Sequence, residues 1–418
     1  METVKALKCV KVPCNPPEEV IELLSVFRDM VNYCIHVGLE KNLSSRFKIS
    51  HEVYHKLAKY GYHSWYVLGA IEVATVILKN YRKAKRRKRG VKRPYARRFI
   101  AKLGNQAFKI VGNELVFPLK PRRFVHVPLH KRALEVLEGV KLGSMTITPT
   151  AIYISYSKIV EVREPKGWIA VDVNEDNVTA VSSDGEVRRY DLSRLKKAGY
   201  GYFWRKRKNQ QKYAKDRRIL RKSLNRLSRN YRNLVDSELH KVSANIAKWC
   251  EGKGYGLIHE NLKGIRDSVN KRVKKLNRFN GKIQEVSVKG KKVKRRLNSW
   301  WFRKFLHMIG YKCLWFGVKV KPEKAGGTSS TCPRCGSKLK EYPNRQVECL
   351  NCGYREDRDI TACLNLLKAS DVSLRFRLER PSDVAVNPAL TSPKAMRKSW
   401  VSKRGEGISR RVTRTVSR

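Results

Sequence analysis

The 418 residues suffice for two or three domains with their own cores, and 41% are hydrophobic, so most of the chain is expected to fold. Lysine and arginine total 92 against 36 acidic residues, a formal net charge of +56. A compact body of that charge repels itself unless a polyanion neutralises it, which points to nucleic acid, with a membrane surface as the rival. The membrane reading is the weaker one. The longest apolar run, Trp65 to Leu78, is too short for a bilayer and contains Glu72, and the N-terminus METVKALKCVKV lacks the apolar core of a signal peptide. The expectation is a soluble cytoplasmic protein.

In chain order, Val4 to Val12 suggests a first strand. Residues 17 to 45 carry a helical stripe through Val20, Leu23, Leu24, Phe27, Val31 and Ile35, and a second helix is expected from Trp65 to Lys88. That helix ends in RKAKRRKRGVKRPYARR, with 11 basic residues and no acid, which marks Arg82, Lys83, Arg86, Arg87, Lys88 and Arg89 as candidate nucleic-acid contacts. Strand patterns return over 108–111, 115–117, 124–127 and 151–156. GWIAVDV, VTAVS and VRRYDL then read as an antiparallel meander over 167–192.

Residues 194–233 hold 16 basic residues and one acid, Asp216, interleaved with aromatics. Basic side chains reach phosphates, and rings can stack on bases or pack locally, so Arg205, Arg207, Arg217 and Arg218 join the candidates. An amphipathic helix from Leu234 to Cys250 leads into the strand YGLIHENL. Residues 266–296, with 13 basic residues and little apolar periodicity, read as a mobile segment. A helix over about 299–316 follows, then the strand GVKVKPE, a cysteine cluster and the helix DRDITACLNLLKAS. The tail from 371 loses its core pattern and is expected to be disordered.

Cys332-Pro-Arg-Cys335 and Cys349-Leu-Asn-Cys352 form two CxxC turns, each followed by glycine. Two such turns present four thiolates to one tetrahedral Zn²⁺, and a site closed by four protein ligands is structural. The other six cysteines are scattered and read as ordinary packing or surface residues.

Three acids stand where chemistry is plausible. Asp172 ends the apolar strand Ile169–Asp172, Glu260 ends Gly256–Glu260, and Asp359 opens the helix after the cysteines. Carboxylates at neighbouring strand ends, with a third on a packing helix, suit two Mg²⁺ ions acting on a phosphodiester. Taken singly each acid has a plainer reading, with Asp359 as a helix N-cap, and Asp357 is a near rival for the third position.

In this order the motifs WIAVDVNEDNVTAV, LIHENLKGI and TSSTCPRCG…VECLNCGYREDRDITACLNL resemble the OrfB or TnpB family of insertion sequences, and the miniature type V CRISPR effectors related to it. The resemblance covers about residues 165–370. It implies an α/β chain with an RNase H-like (RuvC) nuclease domain carrying an inserted zinc ribbon. An α+β N-terminal nucleic-acid-binding region, a β-barrel plus helices, would precede that domain. The boundaries that follow are 1–160 for the N-terminal region, 161–327 for the nuclease with a basic helical insertion at 194–250, 328–356 for the ribbon, 357–370 for the last nuclease helix, and 371–418 for a basic tail. Asp172, Glu260 and Asp359 would be the catalytic Mg²⁺ ligands, and Cys332, Cys335, Cys349 and Cys352 would hold zinc. The implied partners are a guide RNA, target DNA and a separately encoded transposase of the same element, with no membrane, in a prokaryotic nucleoid-associated setting. The chain departs from the family pattern at Asn174, where glycine is common, and at Thr361 and Cys363.

Two relatives of this reading share its features: a CRISPR type V-like effector, and a nuclease-inactive RNA-guided DNA-binding regulator, against which the Asp/Glu/Asp set argues. Strand transfer by a single-strand transposase is not expected, because His126 and His130 in HVPLH have the wrong spacing. His51 and His55 are read as helix-packing residues.

Overall fold

A computed structural model describes residues 2–87, 90–276, 279, 281–324 and 326–370. Lys88 and Arg89 lie outside the described residues, as does the tail expected to be disordered, 371–418. The chain forms two units, Thr3–Val160 and the remainder from Glu161. No helix among the described residues is long and apolar enough to cross a membrane.

The first unit runs β1 (Glu2–Pro13), α1 (Glu18–Glu40), α2 (Arg46–Ala58), α3 (Ser64–Arg87), β2 (Ala101–Leu103), β3 (Lys109–Val111), β4 (Glu114–Lys120), β5 (Arg123–Pro128), α4 (Lys131–Leu137), β6 (Lys141–Thr148) and β7 (Ala151–Val162). The stripe from Val20 to Ile35 is buried, and Glu18 and Glu19 occupy the first turn of α1, where carboxylates complement the helix dipole. Over residues 17–87 the structure has three helices where two were expected, and a short fourth, α4, follows the strands. Ile49, Val53 and Leu57 recur every four residues and bury one face of α2, while His51 and His55 lie on its exposed face, where the His55 ring meets Tyr54 edge-on. Gly69 lets α3 press against the sheet, since a Cβ there would collide with the Lys102 carbonyl. Among the described residues the expected β-barrel is instead two sheets, ordered β1–β7–β6–β2 and β3–β4–β5. Among the described residues β2 pairs with β6 and β3 with β4, and no ladder joins the two sheets. His126 pairs with Glu114, and the His130 ring accepts from the Ala133 amide at the start of α4.

The second unit runs β8 (Trp168–Val173), β9 (Asn177–Ser182), β10 (Val187–Asp191), α5 (Ser193–Lys212), α6 (Arg217–Lys253), β11 (Gly256–Glu260), α7 (Ile265–Asn270), β12 (Arg272–Leu276), β13 (Ile283–Ser287), α8 (Lys291–Ser299), α9 (Phe302–Trp315), β14 (Val320–Glu323), β15 (Lys340–Glu341), β16 (Gln346–Glu348), β17 (Arg355–Asp357) and α10 (Arg358–Ala369). Its main sheet is ordered β10–β9–β8–β11–β14. The first three strands form the antiparallel meander, and β11 then runs parallel to both β8 and β14.

Side chains alternate across this sheet. Ile169, Val171 and Val173 face a core shared with Leu239 and Ile246 of α6 and Phe305 and Ile309 of α9. Ala170 and Ile258 face the other way, onto Ile360, Cys363 and Leu367 of α10. The amphipathic stretch expected from Leu234 is the second half of one 37-residue helix, α6. Asp216, the lone acid of its basic region, caps that helix by accepting from the amides of Arg218 and Ile219, both at 2.9 Å. The segment read as mobile, 266–296, forms α7, the β12–β13 hairpin and α8. Its strands are almost wholly exposed, so they lack the apolar alternation by which a sequence announces a strand.

Candidate functional site

The pleat and the register together place the acids. Asp172 follows Val171 on β8, and Glu260 follows His259 on β11, and Val171 and His259 are register partners. Asp172 shares its face with Ala170, and Glu260 with Ile258, so both carboxylates point to the side that α10 covers. Asp359, in the first turn of α10, is brought to the same place. Asp172 and Asp359 are buried, at 7% and 5% exposure. Burial, followed by the charges of Glu260 and Asp359, pushes the Asp172 carboxyl up to about 7. Burial also raises Glu260, against the pull of the Thr328 hydroxyl, which donates to it at 2.7 Å.

Asp357, the rival for the third position, does different work. Its Oδ1 accepts from the amides of Asp359 (2.8 Å) and Ile360 (3.4 Å), which makes Asp357 the N-cap of α10, and its other oxygen pairs with Arg189. The cap role considered for Asp359 therefore belongs to Asp357. Asp359 Oδ2 instead accepts from Asn177 Nδ2 at 3.1 Å and from Arg345 Nη1 at 2.5 Å.

Arg345 was not among the candidates read from the sequence. It sits at the tip between β15 and β16, where Asn344 and Arg345 have φ of 64° and 62°. Two successive non-glycine residues in the left-handed region are costly and are held only by their surroundings. The guanidinium reaches Asp359 with one nitrogen and Asp176 with the other. No composition or spacing rule marks such a residue. Asn174, the departure from glycine, donates to Asp172 Oδ2 at 2.6 Å. Cys363, another departure, is fully buried and donates to the Thr179 carbonyl.

The four cysteines meet. Their Sγ atoms all lie within 4.8 Å of one another, with Cys332–Cys352 at 3.6 Å and Cys335–Cys349 at 3.4 Å. These separations are too long for disulfides and close to the edge of a ZnS₄ tetrahedron with Zn–S of about 2.3 Å. Gly336 and Gly353 have φ of 80° and 70°, and their amides donate back to the Cys332 and Cys349 carbonyls, closing each turn. Among the described residues no other group of three or more such ligands is drawn together so closely, so the carboxylate trio is more open than the thiols. The ribbon is tied to the carboxylate site through α10. Asn365 donates to the carbonyls of Thr328 and Thr331, each at 2.7 Å, and Tyr354 meets Thr361 at 3.1 Å.

The basic candidates are dispersed. Lys83, Arg86 and Arg87 are exposed on α3, whereas Arg82 is anchored to Ser44 and Asn42. Arg205 and Arg207 are exposed on α5, and Arg217 and Arg218 are exposed at the start of α6.

Comparison with known proteins follows the same residues. A family described as "Cas12f1-like, TNB domain" matches residues 302–366, and the uncharacterised MJ0013 family matches 23–116. "TnpB-like protein MJ0751" of Methanocaldococcus jannaschii is 29% identical over 65% of this chain and 95% of its own length. "Putative transposase MJ0856.1" of the same organism is 41% identical over 16% of this chain and 69% of its own length. The chain belongs to the TnpB family. A solved structure titled as a Cas12f1–sgRNA–target DNA complex shares the fold of this TnpB-family chain, with a TM-score of 0.54 at 14% identity, covering 83% of this chain and 81% of the other. The kinship with miniature type V effectors therefore holds at the level of fold as well as of the matched C-terminal segment. The TNB match spans both the cysteine turns and Arg345.

Proposed function

We propose that this chain is a transposon-associated, RNA-guided DNA endonuclease whose metal site is Asp172, Glu260 and Asp359. The carrying observation is that β8, β11 and α10, far apart in sequence, turn these three carboxylates to one face of one sheet. We read the five-stranded sheet, an antiparallel meander extended by two parallel strands, as an RNase H-like (RuvC) nuclease domain. The site's donors are all oxygen, two of the three carboxylates are buried, and burial raises Asp172 and Glu260. Such a cluster fits a hard divalent cation such as Mg²⁺. When bound, two such ions would lower the pKa of the attacking water and neutralise charge on the leaving oxygen. The chain's own groups supply the rest. Asn174 and Thr328 fix the rotamers of Asp172 and Glu260. Arg345 offers a fixed positive charge beside Asp359, suited to the non-bridging oxygens of a scissile phosphate. The ribbon cysteines hold structural zinc, and their sulfur spacing supports that role.

In this reading the first unit engages guide RNA and target DNA. A cleft of about 1310 Å³ there, lined by Arg82, Arg86, Arg93, Tyr81 and Tyr95, carries the charge and rings such a partner needs. Guide pairing then reads the target sequence, while the protein reads backbone shape and a short motif beside the target. The setting is the cytoplasm, at the nucleoid, with a separate transposase for mobility. A CRISPR effector would use the same chemistry, and the genomic origin of the bound RNA separates the two.

The test begins with RNA that co-purifies from the host, sequenced and used to program cutting of a matched plasmid with Mg²⁺. Asp172→Ala, Glu260→Ala and Asp359→Ala each abolish cutting while target binding persists. Cutting retained by Asp359→Ala and lost by Asp357→Ala would refute the assignment.

A further inference from the structure

Beside the carboxylates lies a cleft of about 820 Å³ between α5, α6 and α8. Its α5 wall carries Tyr200 and Phe203, three residues apart and so on one helical face. From α8, Arg295 lies over both rings, 4.1 Å from the Phe203 centroid and 5.8 Å from that of Tyr200. Tyr202 and Tyr231 stack at 4.7 Å and fasten α5 to α6, so this wall is braced. Tyr200 nonetheless stays 59% exposed. An exposed ring on a braced wall, faced by a guanidinium, is a poor way to build a core and a good way to hold a flat, electron-rich ligand that carries negative charge.

The cleft also leads to the carboxylates by two short paths. Trp300, in its wall, donates to the Asn174 carbonyl at 3.1 Å, and the Asn174 side chain holds Asp172. Asp176, also in its wall, accepts from Arg345, whose other nitrogen holds Asp359. The two acids facing the cleft are neutralised: Glu175 pairs with Arg296 and Asp176 with Lys196, both at 2.8 Å. A phosphate passing this rim therefore meets net positive charge.

We propose that this cleft seats an unpaired nucleobase of the DNA strand being cut, stacked on the Tyr200–Phe203 face, so that the neighbouring phosphodiester is presented to the carboxylates. The proposal rests on the nuclease reading for the identity of the strand, but its recognition chemistry is separate. Stacking selects bases whatever their sequence, and the flanking cations hold the backbone.

The test uses the full chain without divalent metal and measures binding of a fluorescent oligothymidylate against an abasic strand of equal length. The wild-type chain prefers the base-bearing strand by about tenfold, the size of one aromatic stack. Tyr200→Ala combined with Phe203→Leu, which leaves the half-buried Tyr202–Tyr231 brace in place, removes most of that preference and leaves abasic binding unchanged. Photocrosslinking from 5-iodouracil in the same oligomer falls on α5 in the wild-type chain. An undiminished base preference in the double variant overturns the proposal, as does crosslinking confined to other elements. An oligouridylate that binds tighter than the DNA and is equally sensitive to the variant assigns the cleft to RNA and also overturns it. An Asp359→Ala chain keeps the base preference, so failure of the cutting assignment and failure of the cleft are read in different assays.

Discussion

Replacing Asp172 by asparagine should stabilise the protein when no divalent cation is supplied. Asp172 is buried beside Glu260 and Asp359, and its carboxyl is pushed up to about 7 from an ordinary value of 3.8. A raised carboxylate pKa means that the ionised form is penalised in the folded state. The penalty is complete above pH 7, shrinks as pH falls, and vanishes below the unfolded value near 4. A shift of about three units corresponds to roughly 4 kcal/mol, and structural relaxation reduces this to about 2–4 kcal/mol. The substituted amide retains an oxygen to accept from Asn174 and removes the charge. The second unit should then unfold roughly 5–15 °C higher at pH 8, at about 2–4 °C per kcal/mol. The difference should fall to less than half by pH 5. Differential scanning calorimetry in zinc-containing buffer without Mg²⁺ reads both. An asparagine variant less stable than wild type at pH 8, or a gain that does not vary with pH, would refute the account of a self-repelling buried cluster. Added Mg²⁺ should raise the wild type more than the variant, because only the former offers all three carboxylates.

Other perturbations separate roles that lie close together. Arg345→Ala should lower cutting by about 100-fold while guide and target binding stay intact, the magnitude typical of losing one preorganised charge; gel-based single-turnover cleavage reads it. Asp357→Ala should cost about 1 kcal/mol of stability through loss of the α10 cap and leave cutting largely in place. Cys332→Ser, or zinc chelation, should lower the thermal stability of the second unit and slow cutting together, because the strand β16 that follows Arg345 runs directly to Cys349. Unchanged unfolding after verified zinc loss would remove the structural role given to the ribbon.

The strands bearing the acids were legible because β8 and β11 are apolar runs that end abruptly in charge, and few residues in so basic a chain are acidic. The glycines after each CxxC announced their turns for the same local reason, as their positive φ values bear out. Which of Asp357 and Asp359 faces the other carboxylates was not legible. Both precede the same apolar stripe, and only the docking of α10 on the sheet decides which one caps and which one points inward. Arg345 was invisible because its placement depends on two left-handed residues at a hairpin tip, set by the fold around them. The β12–β13 hairpin escaped because both its faces are exposed, leaving no buried side to write a pattern. The N-terminal barrel was an expectation from family resemblance, and among the described residues two separate sheets stand in its place.

The position of α10 also sets a timetable. Asp172 leaves the ribosome about 10–40 s before Asp359 at common elongation rates, and the ribbon with Arg345 emerges between Glu260 and α10. Throughout that interval the growing polypeptide already displays its basic helices and the aromatic wall of α5, yet lacks a complete set of carboxylates. On the proposed reading, nascent protein would therefore gather nucleic acid before it could sever any, and the face of the sheet that α10 covers would stay open until the last helix docks.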